Sequence, residues 1–252
     1  MAPTTPWPYP LWFAHRGAGK LAPENTLAAF RLGAAHGFRA FECDAKLSAD
    51  GVPFLLHDAT LSRTTSGDGP AGHKTWDQLS RLDAGAWHSR AYAGEPPPSL
   101  EALARFCHGN AFALDIEIKP SPGREAETGA VVATEAARLW HGAETAPLLS
   151  SFSPAALEAA RTSARHLPRA LLLDALRDGW FDEAAALGCA AVVTAYPLMD
   201  AVLVERLHAA GMRAMVYTVN DPAEVQRLCG FGIDCIVTDA VDRFSPAARG
   251  PV

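Results

Sequence analysis

The chain has 252 residues, of which 49% are hydrophobic and 20% are charged, so it is long enough and apolar enough to bury a sizeable core. Its formal net charge of −6 argues against non-specific nucleic-acid binding, which requires a basic face. No stretch reaches the roughly 18 to 20 consecutive apolar residues of a membrane span.

The chain begins with a proline-rich segment, MAPTTPWPYP, which lacks the basic and apolar regions of a secretion signal. The cysteines are odd in number and scattered, without CxxC spacing: Cys43, Cys107, Cys189, Cys229 and Cys235. This pattern is typical of reduced thiols. We therefore expect a cytoplasmic protein.

Short β-rich apolar runs alternate with helical patterns along the rest of the chain. Strands are predicted at 11–15, 40–46, 52–57, 111–118, 147–151, 169–173, 190–194, 213–218 and 235–238. Helices are predicted at 25–37, 99–108, 153–166, 200–211 and 222–230. Such alternation indicates βα units around a parallel sheet.

Nine predicted strands are one more than a closed (β/α)8 barrel contains. The short link between the second and third strands indicates that the third is not a strand of the barrel. Residues 46–51 are too few for a crossover helix, and Asp50-Gly51 is a hairpin signal. The third strand should fold back antiparallel, which leaves eight and predicts an α/β protein, a (β/α)8 TIM barrel. With the turn at Asp50-Gly51, the residue numbers of each cross-strand pair should add up to about 101. Asp44 would then face His57 at the barrel mouth, where barrel enzymes have their active sites.

Residues 59–98 lack a strand–helix rhythm and contain many glycines, three consecutive prolines and two tryptophans. This segment leaves the hairpin at the mouth and returns to a helix that starts there. We expect it to cap the C-terminal face as an insertion within one domain over 1–252, and to contribute residues such as Trp87 or His88 to the pocket.

Carboxylates end two of the predicted strands. Glu42 and Asp44 share one strand face, and Asp115 and Glu117 share another. Inward carboxylates in a barrel are costly unless they are paired or bind metal. Glu42, Asp44 and Glu117 would form an all-oxygen site suited to Mg²⁺ or Ca²⁺. The alternative is salt bridging to nearby cations, and Asp115 is expected to be a structural hydrogen-bond partner.

His15 and His57 also end strands, and Arg16 and Lys119 lie beside them in the sequence. A single histidine there is more often structural, but two at one mouth suit general acid/base catalysis. Arg and Lys are suited to hold an anion such as phosphate. The set indicates phosphoryl transfer. Strand-end residues 150–152 and 217–220 either line the pocket or cap strands.

Taken together, the motifs resemble the glycerophosphodiester phosphodiesterase family. They run in order from about residue 11 to 244: HRG, PENT, ExD, DG, HD, LSRTTSGDG, EIK, Ser151-Phe152, Thr218-Val219-Asn220 and Val237-Thr238-Asp239. One departure is Tyr217, which stands where the family pattern has Trp. We expect that change to affect the alcohol preference and not the reaction.

The resemblance implies a TIM barrel that hydrolyses small-molecule glycerophosphodiesters to glycerol 3-phosphate and an alcohol, with a divalent metal. Residue by residue, it makes His15 and His57 catalytic, Glu42, Asp44 and Glu117 metal ligands, Arg16 and Lys119 phosphate-binding, and Glu24 and Asn25 supports of the first loop. Whether a cyclic phosphate forms, which histidine is the acid, and the oligomeric state stay open at this stage.

Two rival functions remain at the level of sequence. One is a lysophospholipase-D-type hydrolase, which would need an apolar groove for an acyl chain. The other is a non-catalytic phosphodiester-binding protein, which loss of a motif residue would have indicated; none is lost.

Overall fold

The computed structural model describes residues 7–244 and 246. The strands are β1 (Trp12–Ala14), β2 (Ala40–Leu47), β3 (Pro53–Leu55), β4 (Ala113–Ile118), β5 (Leu148–Ser151), β6 (Arg169–Leu173), β7 (Ala191–Ala195), β8 (Arg213–Tyr217) and β9 (Cys235–Thr238). The helices are α1 (Leu27–Ala35), α2 (Trp76–Leu79), α3 (Leu100–Asn110), α4 (Glu125–Leu139), α5 (Pro154–Ser163), α6 (Trp180–Ala186), α7 (Ala201–Ala209) and α8 (Pro222–Gly230). Short 3₁₀ turns occupy Ala71–His73, Arg90–Tyr92 and Tyr196–Leu198.

Eight of these strands form a closed parallel barrel. The pairing order runs β1, β9, β8, β7, β6, β5, β4, β2, and β2 pairs again with β1. Helices connect the strands, so the predicted (β/α)8 barrel is confirmed. The extra strand, β3, pairs only with β2 and is antiparallel to it, as the short link required.

The register of this hairpin differs by one residue from the prediction. Ala45 lies opposite Leu55, so the residue numbers of each cross-strand pair add up to 100, and Asp44 does not face His57. The reason is the loop, which has three residues between Ser48 and Val52 and places Gly51 at φ +79°. The sequence indicated a two-residue turn, whereas a three-residue loop with a left-handed glycine is the next common hairpin connection.

The side chains that point into the barrel are apolar at its N-terminal end and include polar groups at its C-terminal end. The N-terminal half is filled by apolar residues such as Phe13, Ala40, Leu148 and Met215. Tyr9 packs with this cluster, and its hydroxyl donates to the Ala146 carbonyl. Residues 1–6 of the proline-rich segment lie outside the described residues. The apolar filling leaves the C-terminal half for polar groups.

The helices begin close to the strand ends because polar side chains cap them. The hydroxyl of Thr26 accepts the Ala29 N–H at the start of α1, and Ser153 does the same for α5. Outward strand residues pack with the helices into one large core. Within the described part of the chain, we find no helix that is long and apolar enough to cross a membrane.

The inserted segment 59–98 has a small core of its own. Leu61 and Leu79 pack with Phe54 of the hairpin. The carboxylate of Glu95 accepts the N–H of Ala28 in the first turn of α1, and a ring nitrogen of His88 lies 3.0 Å from the Lys20 carbonyl. These contacts hold the segment at the C-terminal end of the barrel, on the side of the β1–α1 loop and the hairpin.

Candidate active site

A cavity of about 300 Å³ opens at the C-terminal ends of the barrel strands. It is lined by His15, Arg16, Glu42, His57, Asp115, Glu117, Lys119, Ser150, Phe152, Leu172, Val193, Tyr217, Thr218 and Val237. Three sequence-predicted site residues, Asp44, Glu24 and Asn25, lie behind this lining and contact it. The structure therefore brings the predicted set together.

The predicted contribution of the insertion to this cavity is wrong. None of the lining residues comes from 59–98. The Trp87 indole donates to the Ala84 carbonyl of its own segment, and Trp76 packs near Phe54. The segment fills its own core and the flank of α1, so its aromatic side chains are not directed at the cavity.

Three carboxylates converge on one point in the upper barrel. Asp44 of β2 lies directly opposite Glu117 of β4, and Glu42 precedes Asp44 by two residues on the same face. Oxygen atoms of these three side chains all lie within 4.8 Å of one another, and no second group of this kind occurs in the described residues. All three are buried, and Glu42 Oε1 and Asp44 Oδ1 have no hydrogen-bond partner.

The mutual repulsion of these carboxylates shifts their pKa values. Burial and the charge of Asp44 raise the pKa of Glu117 to about 7, and burial and the same neighbour raise that of Glu42. Although burial opposes it, Arg16 and Lys119 hold the pKa of Asp44 well below its ordinary value. The site therefore has too little positive charge to keep all three groups ionised at low cost.

Two cations hold this acidic group together. Arg16 Nε lies 3.1 Å from Asp44 Oδ2, and Lys119 Nζ lies 2.7 Å from Glu117 Oε1 and 3.4 Å from Asp44 Oδ1. The salt-bridging alternative read from the sequence is therefore present in the structure. Arg16 adopts φ +50°, and its backbone N–H donates to Glu42 Oε2 at 3.1 Å. That backbone conformation, uncommon for a residue with a side chain, turns the chain sharply after β1.

The PENT motif supports this arrangement from behind. The Asn25 amide donates to Asp44 Oδ2 at 2.7 Å, and its oxygen accepts the Asp44 N–H at 3.1 Å. Glu24 accepts a hydrogen bond from Arg16 at 2.8 Å. The β1–α1 loop is therefore fastened to β2 through side chains that also orient Arg16 and Asp44.

Each histidine of the cavity is paired with an aspartate. His15 Nδ1 lies 2.6 Å from Asp239 Oδ1, and His57 Nδ1 lies 2.7 Å from Asp58 Oδ1. A proton on Nδ1 would satisfy both contacts and leave Nε2 available in each ring. Burial lowers the pKa of His57, which favours its neutral form near pH 7.

Sequence reasoning did not assign roles to Asp239 and Asp58. Asp58 directly follows His57, and Asp239 follows β9, which closes the barrel beside β1. Asn220 fixes Asp239 by donating to its carboxylate at 3.1 Å and accepting its backbone N–H at 2.8 Å. Strand closure was the signal that could have placed Asp239 next to His15.

The opposite side of the cavity is largely apolar. Phe152 packs edge-on against Tyr217, and Lys119 Nζ lies 5.6 Å from the Phe152 ring centre. Leu172 and Val193 complete this wall. For the strand-end residues 150–152 and 217–220 the sequence left both pocket lining and strand capping open, and in the structure Ser150, Phe152, Tyr217 and Thr218 line the cavity.

The deeper carboxylate, Asp115, behaves as the sequence indicated. It accepts a hydrogen bond from the Ser150 hydroxyl at 2.7 Å, and burial raises its pKa to about 7. It is thus a hydrogen-bonded group beneath the acidic cluster, and it lies outside the group of three converging carboxylates.

A TIM barrel whose mouth holds converging carboxylates, two imidazoles and two cations has the groups that an enzyme of metal-assisted phosphoryl transfer requires. Comparison with known proteins identifies the family. The model of the glycerophosphoryl diester phosphodiesterase family matches residues 15–243. The chain therefore belongs to that family, and it is a phosphoric diester hydrolase.

Individual relatives match this chain over most of their length. A glycerophosphodiester phosphodiesterase of Caldanaerobacter subterraneus subsp. tengcongensis is 30% identical over 234 residues, which cover 91% of this chain and 93% of the relative. The uncharacterized protein YqiK of Bacillus subtilis is 31% identical, with 92% and 96% covered. The structure of an Oleispira antarctica phosphodiesterase in complex with its product sn-glycerol-3-phosphate is similar with a TM-score of 0.85 at 32% identity, with 91% and 93% covered.

Proposed function

We propose that this enzyme hydrolyses glycerophosphodiesters to glycerol 3-phosphate and an alcohol, with a divalent cation and with His15 and His57 as general acid and base. The observation that carries the proposal is that two aspartate-held imidazoles line one small cavity together with Glu42 and Glu117, whose carboxylates converge with that of Asp44 directly behind the lining. The product bound in the similar Oleispira antarctica enzyme supports the choice of substrate.

Glu42, Asp44 and Glu117 fit a divalent cation, with Mg²⁺ or Ca²⁺ as the candidates. Their donor atoms are all carboxylate oxygens, which hard cations prefer, and two of these oxygens are buried without a hydrogen-bond partner. When bound, the cation would neutralise the carboxylates and the negative charge that develops on the phosphodiester.

Arg16 and Lys119 would bind the phosphate oxygens of the substrate. Both line the cavity, and both carry hydrogen-bond donors beyond those used by the carboxylates. The planar guanidinium suits two oxygens at once, and the ammonium acts as a point charge. Their attraction to the acidic group fixes them within reach of the same phosphate.

His57 is proposed as the base of the first step. Burial favours its neutral form, and its Nε2 would take the proton of the glycerol 2-hydroxyl, whose oxygen then attacks phosphorus. His15, which Asp239 holds at Nδ1, would give a proton from Nε2 to the departing alcohol. Water would then open the resulting cyclic phosphate with the two roles reversed, which restores both histidines.

Substrate preference separates this function from its rival, a lysophospholipase-D-type hydrolase. The enzyme should release glycerol 3-phosphate from glycerophosphocholine and act much more slowly on lysophosphatidylcholine. The cavity volume of about 300 Å³ supports a small substrate. A clear preference for lysophosphatidylcholine, with lysophosphatidic acid as product, would favour the rival.

A further inference from the structure

Arg63, in the segment 59–98 and within the motif LSRTTSGDG, binds two carboxylates from different parts of the chain. Its Nη1 and Nη2 atoms donate to the two oxygens of Glu24 at 2.8 Å each. Its Nε and Nη2 atoms donate to the two oxygens of Asp58 at 2.6 and 3.0 Å. Arg63 and Arg16 are the arginines that bridge two carboxylates in the described chain, and they share Glu24.

Both carboxylates that Arg63 binds touch groups of the proposed mechanism. Asp58 holds Nδ1 of His57, and Glu24 holds the guanidinium of Arg16. Arg63 itself is 44% exposed at its side chain and does not line the cavity. It therefore reaches the chemistry only through the two acids.

We propose that Arg63 is a positioning residue, which sets the orientation and charge balance of His57 through Asp58 and the placement of Arg16 through Glu24. This inference rests on the proposed function for the roles of His57 and Arg16. It also assigns a role to the insertion, which contributes no residue to the cavity lining. Through Arg63, the insertion would fix the positions of the general base and the phosphate-binding arginine relative to each other.

The charge balance around His57 shows how Arg63 would act. Asp44 and Asp58 favour the protonated ring, and Arg16 and Lys119 oppose it. The bidentate fork of Arg63 holds the pKa of Asp58 well below its ordinary value and offsets the charge of that carboxylate. Without Arg63, the unopposed Asp58 would hold the proton of His57 more firmly, so the pKa of His57 would rise.

The test is Arg63→Gln, with nitrogen NMR of labelled histidines and the pH profile of kcat. His57 is assigned from the signal missing in His57→Gln. We expect the pKa of His57 to rise by about 0.5 to 1 unit, less than the 1 to 3 units of a direct partner. We expect kcat to fall about 10- to 100-fold through misplacement of His57.

Further variants separate the two paths. Arg63→Lys retains the charge without the fork, so it should keep the pKa of His57 close to that of wild type while lowering kcat. In an Asp58→Asn background, Arg63→Gln should no longer move the titration. Glu24→Gln should mainly raise KM. Arg81→Gln, which removes an exposed Arg–Asp pair from the same segment, should change nothing.

Two results would overturn the inference: wild-type kcat in Arg63→Gln, or a lowered kcat with an unmoved titration of His57, which would make Arg63 merely structural. If Arg63→Gln does not fold, Arg63→Lys decides by turnover alone: a lowered kcat would support the need for the bidentate fork, and an unchanged kcat would overturn the inference. The titration is independent of turnover, so it decides the coupling even if His57→Ala remains active and the proposed mechanism fails.

Discussion

The mouth of the barrel has a charged side and an apolar side built on the same backbone pattern. On β2 and β4 the inward residues near the strand ends are carboxylates, including Glu42 and Glu117. On β6 and β7 the corresponding inward residues are Leu172 and Val193. The barrel thus supplies equivalent positions, and the choice of side chain separates a side suited to chemistry from a side suited to contact with the rest of the substrate.

The two sides differ in what they contribute to stability. Burying apolar side chains contributes roughly 1.5–3 kcal/mol each. Burying carboxylates costs free energy unless cations or hydrogen bonds compensate, which the raised pKa of Glu117 and Glu42 reflects. The charged side is therefore where substitution and pH should have the largest consequences.

The largest effect is expected at the histidines of the charged side. His15→Ala and His57→Ala should each lower kcat by about 10² to 10⁴, because each removes a general acid or base. Steady-state release of glycerol 3-phosphate measures this. His36→Ala, at the exposed end of α1, should remain near wild type. A His57→Ala enzyme with most of its activity would make His57 structural.

A smaller loss is expected from the aspartate behind His15. Asp239→Asn keeps the shape but removes the charge that orients and supports the imidazole, so kcat should fall about 10- to 100-fold with KM little changed. Asp221→Asn, at the exposed start of α8, is the matched control. An unchanged kcat in Asp239→Asn would show that the 2.6 Å contact with His15 does not matter for turnover.

Stability should respond to metal and pH together. The folded-state pKa of Glu117 is raised from 4.5 to about 7, so the folded protein binds more protons than the unfolded one, and this group destabilises the fold increasingly as pH rises from about 4.5 to 7. A cation should relieve that cost. Mg²⁺ or Ca²⁺ should raise Tm more at pH 8 than at pH 5, and a Tm rise independent of pH would argue against binding at Glu117.

The smallest effect is expected on the apolar side. Phe152→Ala removes the ring beside Lys119 and Tyr217, so KM and the preference among alcohols should change by up to about 10-fold while kcat for the best substrate changes less. Val202→Ala, at an exposed position of α7, serves as control. A kcat loss as large as that of the histidine variants would remove the distinction between the sides.

Much of the fold could be predicted from the sequence because local patterns determine it. Strand and helix periodicity gave the eight strands, and the short link 46–51 separated β3 from the barrel. The hairpin register could not be predicted, because it depends on whether the turn at Asp50-Gly51 has two or three residues. It also could not be predicted that residues 59–98 contribute no side chain to the cavity lining, since this depends on packing among Phe54, Leu61 and Leu79 and on long-range hydrogen bonds such as that of Glu95.

The site was predictable where its residues end strands. Alternation placed Glu42, Asp44 and Glu117 on inward faces, and they converge as expected. The partner of His15 was not assigned, because Asp239 is 224 residues from His15 and becomes its neighbour only when the barrel closes. Arg63 was likewise hidden, since its two carboxylates lie 39 and 5 residues away.

The need for a cation at Glu42, Asp44 and Glu117 is the central claim. It is tested most directly by turnover of glycerophosphocholine after exhaustive chelation and during titration with Mg²⁺ or Ca²⁺, for wild type and Glu117→Gln. We predict no glycerol 3-phosphate from the chelated enzyme, recovery with metal in wild type, and little recovery in Glu117→Gln. Full activity after chelation, or equal recovery in both proteins, would contradict the assignment.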